Sequence, residues 1–154
     1  MAYSGKFKPK NPSKYQGDHT NIVYRSSWET KFMKWADTNP DVISWSSEEI
    51  IVPYFLELDR KNHRYFPDFL MTIKDPNTGV NTTYLTEVKP RKQIDKPKDP
   101  GRRSTRYINE MRTWICNQTK WQYADAYARA RGWQFITLDE YDLGIVKRPK
   151  SKNL

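Results

Sequence analysis

Two short stretches decide how this chain folds: residues 64–70, with the sequence RYFPDFL, and residues 84–90, with the sequence YLTEVKP. Both are rich in aromatic and β-branched residues, which favours strands, and the segment DPNTG at 75–79 between them is typical of a turn. The simplest arrangement is a β-hairpin. Pro67 cannot donate a ladder hydrogen bond, so it marks an edge or a bulge within the first strand.

The hairpin predicts a compact group of charged side chains. It would bring Asp68 close to Glu87 and Lys89, and the alternation of side chains along a strand sends Glu87 and Lys89 to one face while Val88 points into the opposite layer. Two carboxylates and an amine then converge. Such a group can hold a divalent cation through hard oxygen ligands, with an ammonium beside it to position a water or hydroxide.

The composition limits which metal could bind there. The 154 residues, 36% of them hydrophobic, suit one domain with a modest core. Cys116 is the only cysteine, so no intrachain disulfide or thiolate cage can form, and we expect it to be a buried helix residue. His19 and His63 are too few for a histidine-based zinc site. A carboxylate site of this kind favours Mg²⁺ or Mn²⁺.

The charge predicts a polyanionic partner. Lys and Arg total 27 against 18 acidic residues, which gives a net charge of +9 and a pI near 9.6. Nucleic acid is the first candidate and an anionic membrane a distant second. The chain lacks an apolar run long enough to span a bilayer and a signal-peptide core at its N-terminus, so we expect a soluble intracellular protein.

The N-terminal third begins with a basic arm, residues 1–21, which we expect to be weakly ordered and either solvated or laid along phosphates. A helix then starts near Arg25, with an inward stripe of Trp28, Phe32 and Trp35. Strands follow at 42–45 and 49–54.

Glu29 has two interpretations. The pattern Ser26-x-x-Glu29 has the form of a capping box, in which the glutamate reaches back to a backbone N–H. Glu29 also shares a helix face with Phe32, Met33 and Ala36, so it points toward the body of the domain and could serve a site there. Spacing alone does not separate the two.

The C-terminal half begins with a basic loop, residues 90–106, which is either a mobile solvated segment or a flap that grips phosphates. Its cationic residues are Arg91, Lys92, Lys96, Lys98, Arg102, Arg103 and Arg106. Two helices, at 104–116 and 119–131, a strand at 133–138 and a turn at 139–143 are predicted after it. Residues 147–154 form a basic tail.

These residues resemble a known family. Pro67-Asp68 followed by Glu87-Val88-Lys89, with an upstream helical Glu29, is similar to the PD-(D/E)xK nuclease signature, and the surrounding sequence resembles the TnsA-type endonuclease domain over about residues 22–140. We therefore assign residues 22–146 to one nuclease domain. The resemblance implies an α/β fold of the α+β type, with a restriction-endonuclease-like core in which helices flank a mixed central β-sheet.

The resemblance also implies roles for individual residues. Asp68 and Glu87 would be metal ligands together with the Val88 backbone carbonyl, and Glu29 would be an outer ligand or serve a second metal. Lys89 would orient the attacking water and stabilise charge on the phosphorus centre. Lys120 would touch a phosphate. The chain departs from the TnsA pattern in having Glu rather than Gln before the x-Lys pair, which is the commoner metal-binding form.

The opening MAYSGKFKPKNP resembles something narrower, the head completion nucleases of T-even-like tailed bacteriophages. That likeness implies a Mg²⁺-dependent endo- or exodeoxyribonuclease, with Mn²⁺ as a substitute, acting with little sequence preference on packaged double-stranded DNA before the tail joins the head. Head, portal or neck proteins would be its partners, and the host cytoplasm during assembly, or the virion, its location.

Two other functions are compatible with the sequence. The chain could be a non-catalytic factor that binds DNA ends at the head–tail interface, in which case the acidic group is an ordinary hairpin salt bridge of small energetic worth. It could also be a structure-specific or restriction-like endonuclease, although the lack of a long recognition domain argues against restriction.

Overall fold

The computed structural model describes residues 4–144, and its strands and helices occur in the following order along the chain. The elements are β1 (Gly5–Phe7), a 3₁₀ turn (Pro12–Lys14), β2 (Ile22–Tyr24), α1 (Ser27–Thr38), β3 (Val42–Ser47), β4 (Val52–Leu56), β5 (Lys61–Tyr65), β6 (Phe69–Lys74), β7 (Asn81–Val88), α2 (Arg91–Ile94), α3 (Thr105–Ala130) and β8 (Gln134–Leu138).

A four-stranded mixed sheet in the order β3-β6-β7-β8 forms the centre of the fold. Strands β3, β6 and β7 pair antiparallel, whereas β7 and β8 pair parallel. A parallel pair requires a crossover connection, and α3 supplies most of it. The predicted mixed sheet flanked by helices, with a restriction-endonuclease-like core, is confirmed.

The two faces of the sheet bury different helices because strand side chains alternate. Phe69 and Met71 of β6 pack with residues of α1, whereas Leu70 lies against the cluster on the α3 side. Phe32 of α1 stacks on Phe69 with ring centroids 4.1 Å apart. On the other face, the predicted α3 stripe is buried against Leu85 of β7, and it consists of Trp121, Ala124 and Ala128.

The predicted hairpin is confirmed, with one change at its first strand. Phe69 pairs with Thr86 and Lys74 with Asn81, across the expected turn. Residues 64–70 are not one strand, however. They end β5, which pairs with β4 in a separate ribbon, and begin β6, and the break between them contains the buried Pro67. The missing donor of proline thus separates two sheets.

Helix α1 differs from its prediction in the face that it buries. Phe32, Met33 and Ala36 are buried, but Trp35, expected in the inward stripe, is 42% exposed. The buried face of the helix is centred near Met33 and Ala36, so the Trp35 side chain falls outside it. The helix ends at Thr38, just before Pro40, as the sequence predicts.

The two predicted C-terminal helices are one helix, α3, so the break expected at 117–118 is wrong. Neither Gly nor Pro occurs there, and Asn117 is buried inside the helix. Thr119, the expected first residue of the second helix, instead donates its hydroxyl to the Ile115 carbonyl at 2.9 Å inside α3. Cys116 is only partly buried.

The basic N-terminal arm is better ordered than expected. The backbone N–H groups of Lys10 and Asn11 donate to the Asp37 carboxylate at 2.8 and 3.0 Å, and Tyr15 is buried edge-on against Trp45. The prediction that the arm is weakly ordered is therefore wrong for its described part. The boundaries of arm, domain and tail stay predictions, and the tail, 147–154, lies outside the described residues.

The remaining predictions concern the C-terminal half. The basic loop contains one short helix, α2, and the final strand and turn occur as expected. Within residues 4–144, no helix has both the length and the hydropathy of a membrane span.

Candidate active site

Asp68 joins three parts of the fold at the end of the central sheet. Its Oδ2 atom accepts a hydrogen bond from the backbone N–H of Val88 at 2.8 Å, which holds the start of β6 against the end of β7. Its carbonyl accepts from the backbone N–H of Glu48 at 3.0 Å, just after β3. The hairpin therefore places Asp68 beside Glu87, as predicted.

Glu87 is the most constrained carboxylate of the group. It is 7% exposed, and its Oε2 atom has no hydrogen-bond partner among the described residues. Burial raises the pKa of Glu87 to about 9, reinforced by the charge of Asp68 and a hydrogen bond with it, while Lys89 and Tyr65 act in the opposite direction. A buried carboxylate with a free oxygen requires either a proton or a cation.

Lys89 and Val88 follow Glu87 at the end of β7. The backbone N–H of Lys89 donates to the Leu138 carbonyl at 3.0 Å, so the parallel strand β8 fixes the position of this residue. Its side chain is half-buried, lies on the Glu87 face and forms no salt bridge in the described part of the chain. The Val88 side chain packs toward α1, which confirms the predicted alternation.

Glu29 fits both of its sequence interpretations. The Ser26 hydroxyl accepts a hydrogen bond from the Glu29 N–H at 3.1 Å, and Glu29 Oε1 accepts from the Arg25 N–H at 3.3 Å, one residue before the cap. The half-buried carboxylate also faces the site. Burial raises its pKa, and the charges of Asp68 and Glu48 add to the effect.

Sequence reasoning missed Glu48 as a neighbour of the site. This residue has a φ of 55°, a left-handed conformation that is uncommon outside glycine, and its carboxylate forms an ion pair with Arg25. The sequence gives no signal for that backbone conformation. With Asp68, Glu87 and Glu29, Glu48 is the fourth carboxylate of this group, and Arg25 partly neutralises its charge.

Sequence reasoning also missed Tyr65, although the residue stands inside the motif. It is 5% exposed, and burial, together with the charges of Glu87 and Asp68, raises the pKa of its hydroxyl. The ammonium of Lys120 lies 5.7 Å from the centre of its ring, which is within the range of a cation–π contact. Lys120 belongs to the middle of α3, and this contact places it at the Glu87 side of the site.

Four of the seven cationic residues of the basic loop have partners within the protein. Arg91 donates from Nε to the buried Asp139 at 3.0 Å and also pairs with Asp95. The other three also have contacts. Lys96 lies over the Trp114 ring, Arg103 lies over the Tyr107 ring and pairs with Asp99, and Arg106 pairs with Glu110.

The remaining three cationic residues of the basic loop are free of ion pairs in the part of the chain that is described. Lys92, Lys98 and Arg102 are exposed. Their charges are therefore available to an external anion, whereas Arg91 chiefly anchors the first residues of the loop to the turn after β8.

The carboxylates fit a hard divalent cation in part. Among residues 4–144, no three His, Cys, Asp or Glu side chains lie close enough together to form a complete metal site. The buried Glu87 carboxylate beside Asp68 nevertheless matches the oxygen ligands that Mg²⁺ takes. Because Mg²⁺ usually keeps several waters and uses one or two carboxylates, a pair is a sufficient protein contribution.

Comparison with known proteins gives two matches. The family model described as TnsA-like endonuclease N terminal matches residues 39–140, which include Asp68, Glu87 and Lys89 but not Glu29. The head completion nuclease of Enterobacteria phage T4 is 43% identical over 144 residues, which cover 91% of this chain and 93% of that protein. No solved structure matches the chain.

Proposed function

Because this chain belongs to the TnsA-like endonuclease family, we propose that it is a DNA nuclease whose active site is formed by Asp68, Glu87 and Lys89, with Glu29 at its edge. The observation that carries the proposal is the buried Glu87 carboxylate beside a second carboxylate and a lysine that forms no salt bridge within the described residues. A purely structural hairpin ion pair would instead join Lys89 to one of these carboxylates.

We propose Mg²⁺ as the cofactor, with Mn²⁺ as a substitute. Asp68, Glu87 and the Val88 carbonyl would hold the ion, and Glu29 would complete the shell or serve a second ion. When bound, the ion lowers the pKa of water and polarises a phosphoryl oxygen, which is the chemistry that phosphodiester hydrolysis needs.

The protein's own cations have separate roles in this proposal. Lys89, on the same face as Glu87, orients the attacking water and stabilises the negative charge that develops on the phosphate. Lys120, held over the Tyr65 ring, contacts the scissile or a neighbouring phosphate. Glu87 is buried, so charges that act on it are less screened than they would be in water.

The substrate in this proposal is double-stranded DNA bound through its backbone. Three exposed cations, Lys92, Lys98 and Arg102, lie in the loop that leaves the site directly after Lys89. Backbone contacts carry no sequence information, so we expect cleavage with little sequence preference and binding that weakens steeply with salt.

The biological setting is proposed from the relative's name. A protein 43% identical over most of both chains is called a head completion nuclease. We propose that this chain acts likewise on packaged DNA before head–tail joining, with head, portal or neck proteins as partners. Its location would be the host cytoplasm during assembly or the assembled particle.

Digestion of plasmid and linear DNA, with Mg²⁺ or with EDTA, tests the proposal. We expect the parent protein to cut only with Mg²⁺, and Asp68→Ala and Lys89→Ala to lose at least about 100-fold in rate. Lys74→Ala is the matched control, because Lys74 is an exposed lysine at the far end of the same hairpin. Opening of the plasmid separates endonuclease from exonuclease action.

Two results would replace the proposal with another function. If no protein cuts while all of them retard DNA on a gel, the chain is a non-catalytic factor that binds DNA ends. If cutting gives discrete fragments or needs a branched substrate, it is a restriction-like or structure-specific endonuclease.

A further inference from the structure

Three buried polar atoms without hydrogen-bond partners lie on the α3 side of the active site. They are the Tyr65 hydroxyl, the Trp121 indole nitrogen and Glu87 Oε2. Tyr65 and Trp121 are 5% and 8% exposed and belong to one core cluster with Leu85, two residues before Glu87 on the same face of β7. The hydroxyl is close enough to both other groups for each to affect its pKa.

The chemistry of the three atoms is complementary. A tyrosine hydroxyl and an indole N–H are donors, and an ionised carboxylate oxygen only accepts. Leaving a buried polar group unpaired is energetically costly, so folded proteins seldom leave several together. The Tyr65 hydroxyl lies between the other two groups, so it can accept from the Trp121 N–H and donate to Glu87, an arrangement suited to a state in which Glu87 carries its full negative charge.

We propose that Tyr65 and Trp121 are positioning residues: the Tyr65 hydroxyl, itself held by the Trp121 N–H, holds the inner oxygen of Glu87 while the outer oxygen binds the divalent cation. This inference rests on the proposed function, because it assigns a purpose to the geometry of that same carboxylate. Groups that orient a metal ligand in this way change metal affinity without touching the metal. The ring face of Tyr65 also supports Lys120, so one side chain orients a carboxylate and an ammonium of the site.

A purely structural role for Tyr65 predicts different behaviour. If only the ring mattered, Tyr65→Phe would remove an unpaired buried hydroxyl, and cation binding would not change. If the hydroxyl positions Glu87, the same substitution weakens the cation site while the protein without cation stays as stable as the parent or becomes more stable. Fold stability and cation affinity then change in opposite directions.

Calorimetric titration with Mg²⁺, without DNA, provides the test, together with melting curves in EDTA. We expect Tyr65→Phe and Trp121→Phe each to lower Mg²⁺ affinity about tenfold or more. For Tyr65→Phe we expect a melting temperature in EDTA equal to or above that of the parent. Tyr54→Phe is the matched control, because Tyr54 is buried in the same cluster but stacks on His63 in the β4–β5 ribbon.

The outcomes separate this inference from the proposed function. Parent-like Mg²⁺ affinity in both Tyr65→Phe and Trp121→Phe, with a parent that binds Mg²⁺ and cuts DNA, overturns the positioning role and leaves the nuclease intact. A parent that binds no Mg²⁺ overturns both. If Tyr65→Phe does not fold, Trp121→Phe decides alone, and unchanged affinity in that variant also overturns the proposal.

Discussion

At the scale of single residues, Glu87 is where stability and chemistry oppose each other. Its carboxylate is removed from water and placed beside Asp68, and both changes disfavour the ionised form. The proposed reaction needs that ionised form as a ligand. The folded protein therefore carries a local electrostatic cost that a bound cation would relieve, as is common where strained or charged groups form an active site.

The pKa of Glu87 predicts how stability depends on pH without a cation. The folded value, about 9, lies above the ordinary value of 4.5 in the unfolded chain. The folded state therefore binds the proton more tightly, and the free energy of unfolding falls as the pH rises through this window. We expect Glu87→Gln to remove this loss of stability. The variant should be more stable than the parent at pH 8 by roughly a few kcal/mol, because the size of the effect follows from the difference between the folded and unfolded pKa values.

Urea unfolding in EDTA at pH 5 and pH 8 measures this difference. Glu57→Gln is the control, because Glu57 is an exposed glutamate in the turn after β4. A parent and a Glu87→Gln variant with equal pH dependence would contradict the buried, proton-binding state. The same Glu87→Gln variant should cut DNA far more slowly than the parent, so it would be more stable and less active.

At the scale of elements, the first turn of α1 supports the site through its cap. Ser26 accepts a hydrogen bond from the Glu29 N–H, so the hydroxyl fixes the backbone that carries the Glu29 carboxylate. We expect Ser26→Ala to lower the free energy of unfolding by about 1 kcal/mol. Ser27→Ala, an exposed neighbour already inside the helix, should change it much less in the same thermal melts.

The ion pair between Arg91 and Asp139 holds the first residues of the basic loop against the turn after β8. Burial disfavours ionisation of Asp139, but hydrogen bonds from Asp142, Arg91 and Tyr141 outweigh that effect and lower its pKa, so Asp139 is an anionic anchor for Arg91. We expect Arg91→Ala to be cleaved by trypsin within the loop faster than Lys92→Ala. Both variants lose one charge, but Lys92 has no ion-pair partner in the described chain. Equal cleavage rates would mean that the ion pair does not restrain the loop.

The elements also show how far a single sequence predicts this structure. The hairpin followed from strand propensity and a turn and brought Asp68 near Glu87, and the period of two along the strand placed Glu87 and Lys89 on one face. The sequence indicates a break at Pro67, but it does not indicate that the residues before the break belong to a different sheet. That outcome depends on long-range pairing of β5 with β4. The left-handed Glu48 and the orientation of Tyr65 are likewise set by tertiary contacts.

Glu29 is a second case in which the sequence could not decide between two interpretations. Its capping box and its inward face were both visible in the sequence, and both occur together. The two helices predicted at 104–116 and 119–131 are one helix, because no Gly or Pro interrupts the sequence there and tertiary packing along its length overrides weak local preferences.

At the scale of the whole molecule, the net charge of +9 predicts the salt dependence of DNA binding. Replacement of Lys92, Lys98 and Arg102 by Ala should reduce the slope of log K against log salt by about 3, if each cation contacts one phosphate. A control with Lys31, Lys34 and Lys74 replaced removes the same charge from other exposed positions. Fluorescence anisotropy with a labelled duplex gives both slopes, and equal slopes in the two variants would contradict a binding role for the loop.

The parallel pairing of β7 with β8 has a consequence for biosynthesis. Tyr84 pairs with Gln134 and Val88 with Leu138, and the Lys89 N–H is held by the Leu138 carbonyl. The strand that carries Glu87 and Lys89 therefore gains its last neighbour only when nearly the whole described chain has left the ribosome. A nascent polypeptide in which Asp68 and Glu87 are already synthesised would still lack the partner that fixes Lys89, so the proposed nuclease would stay inert during translation.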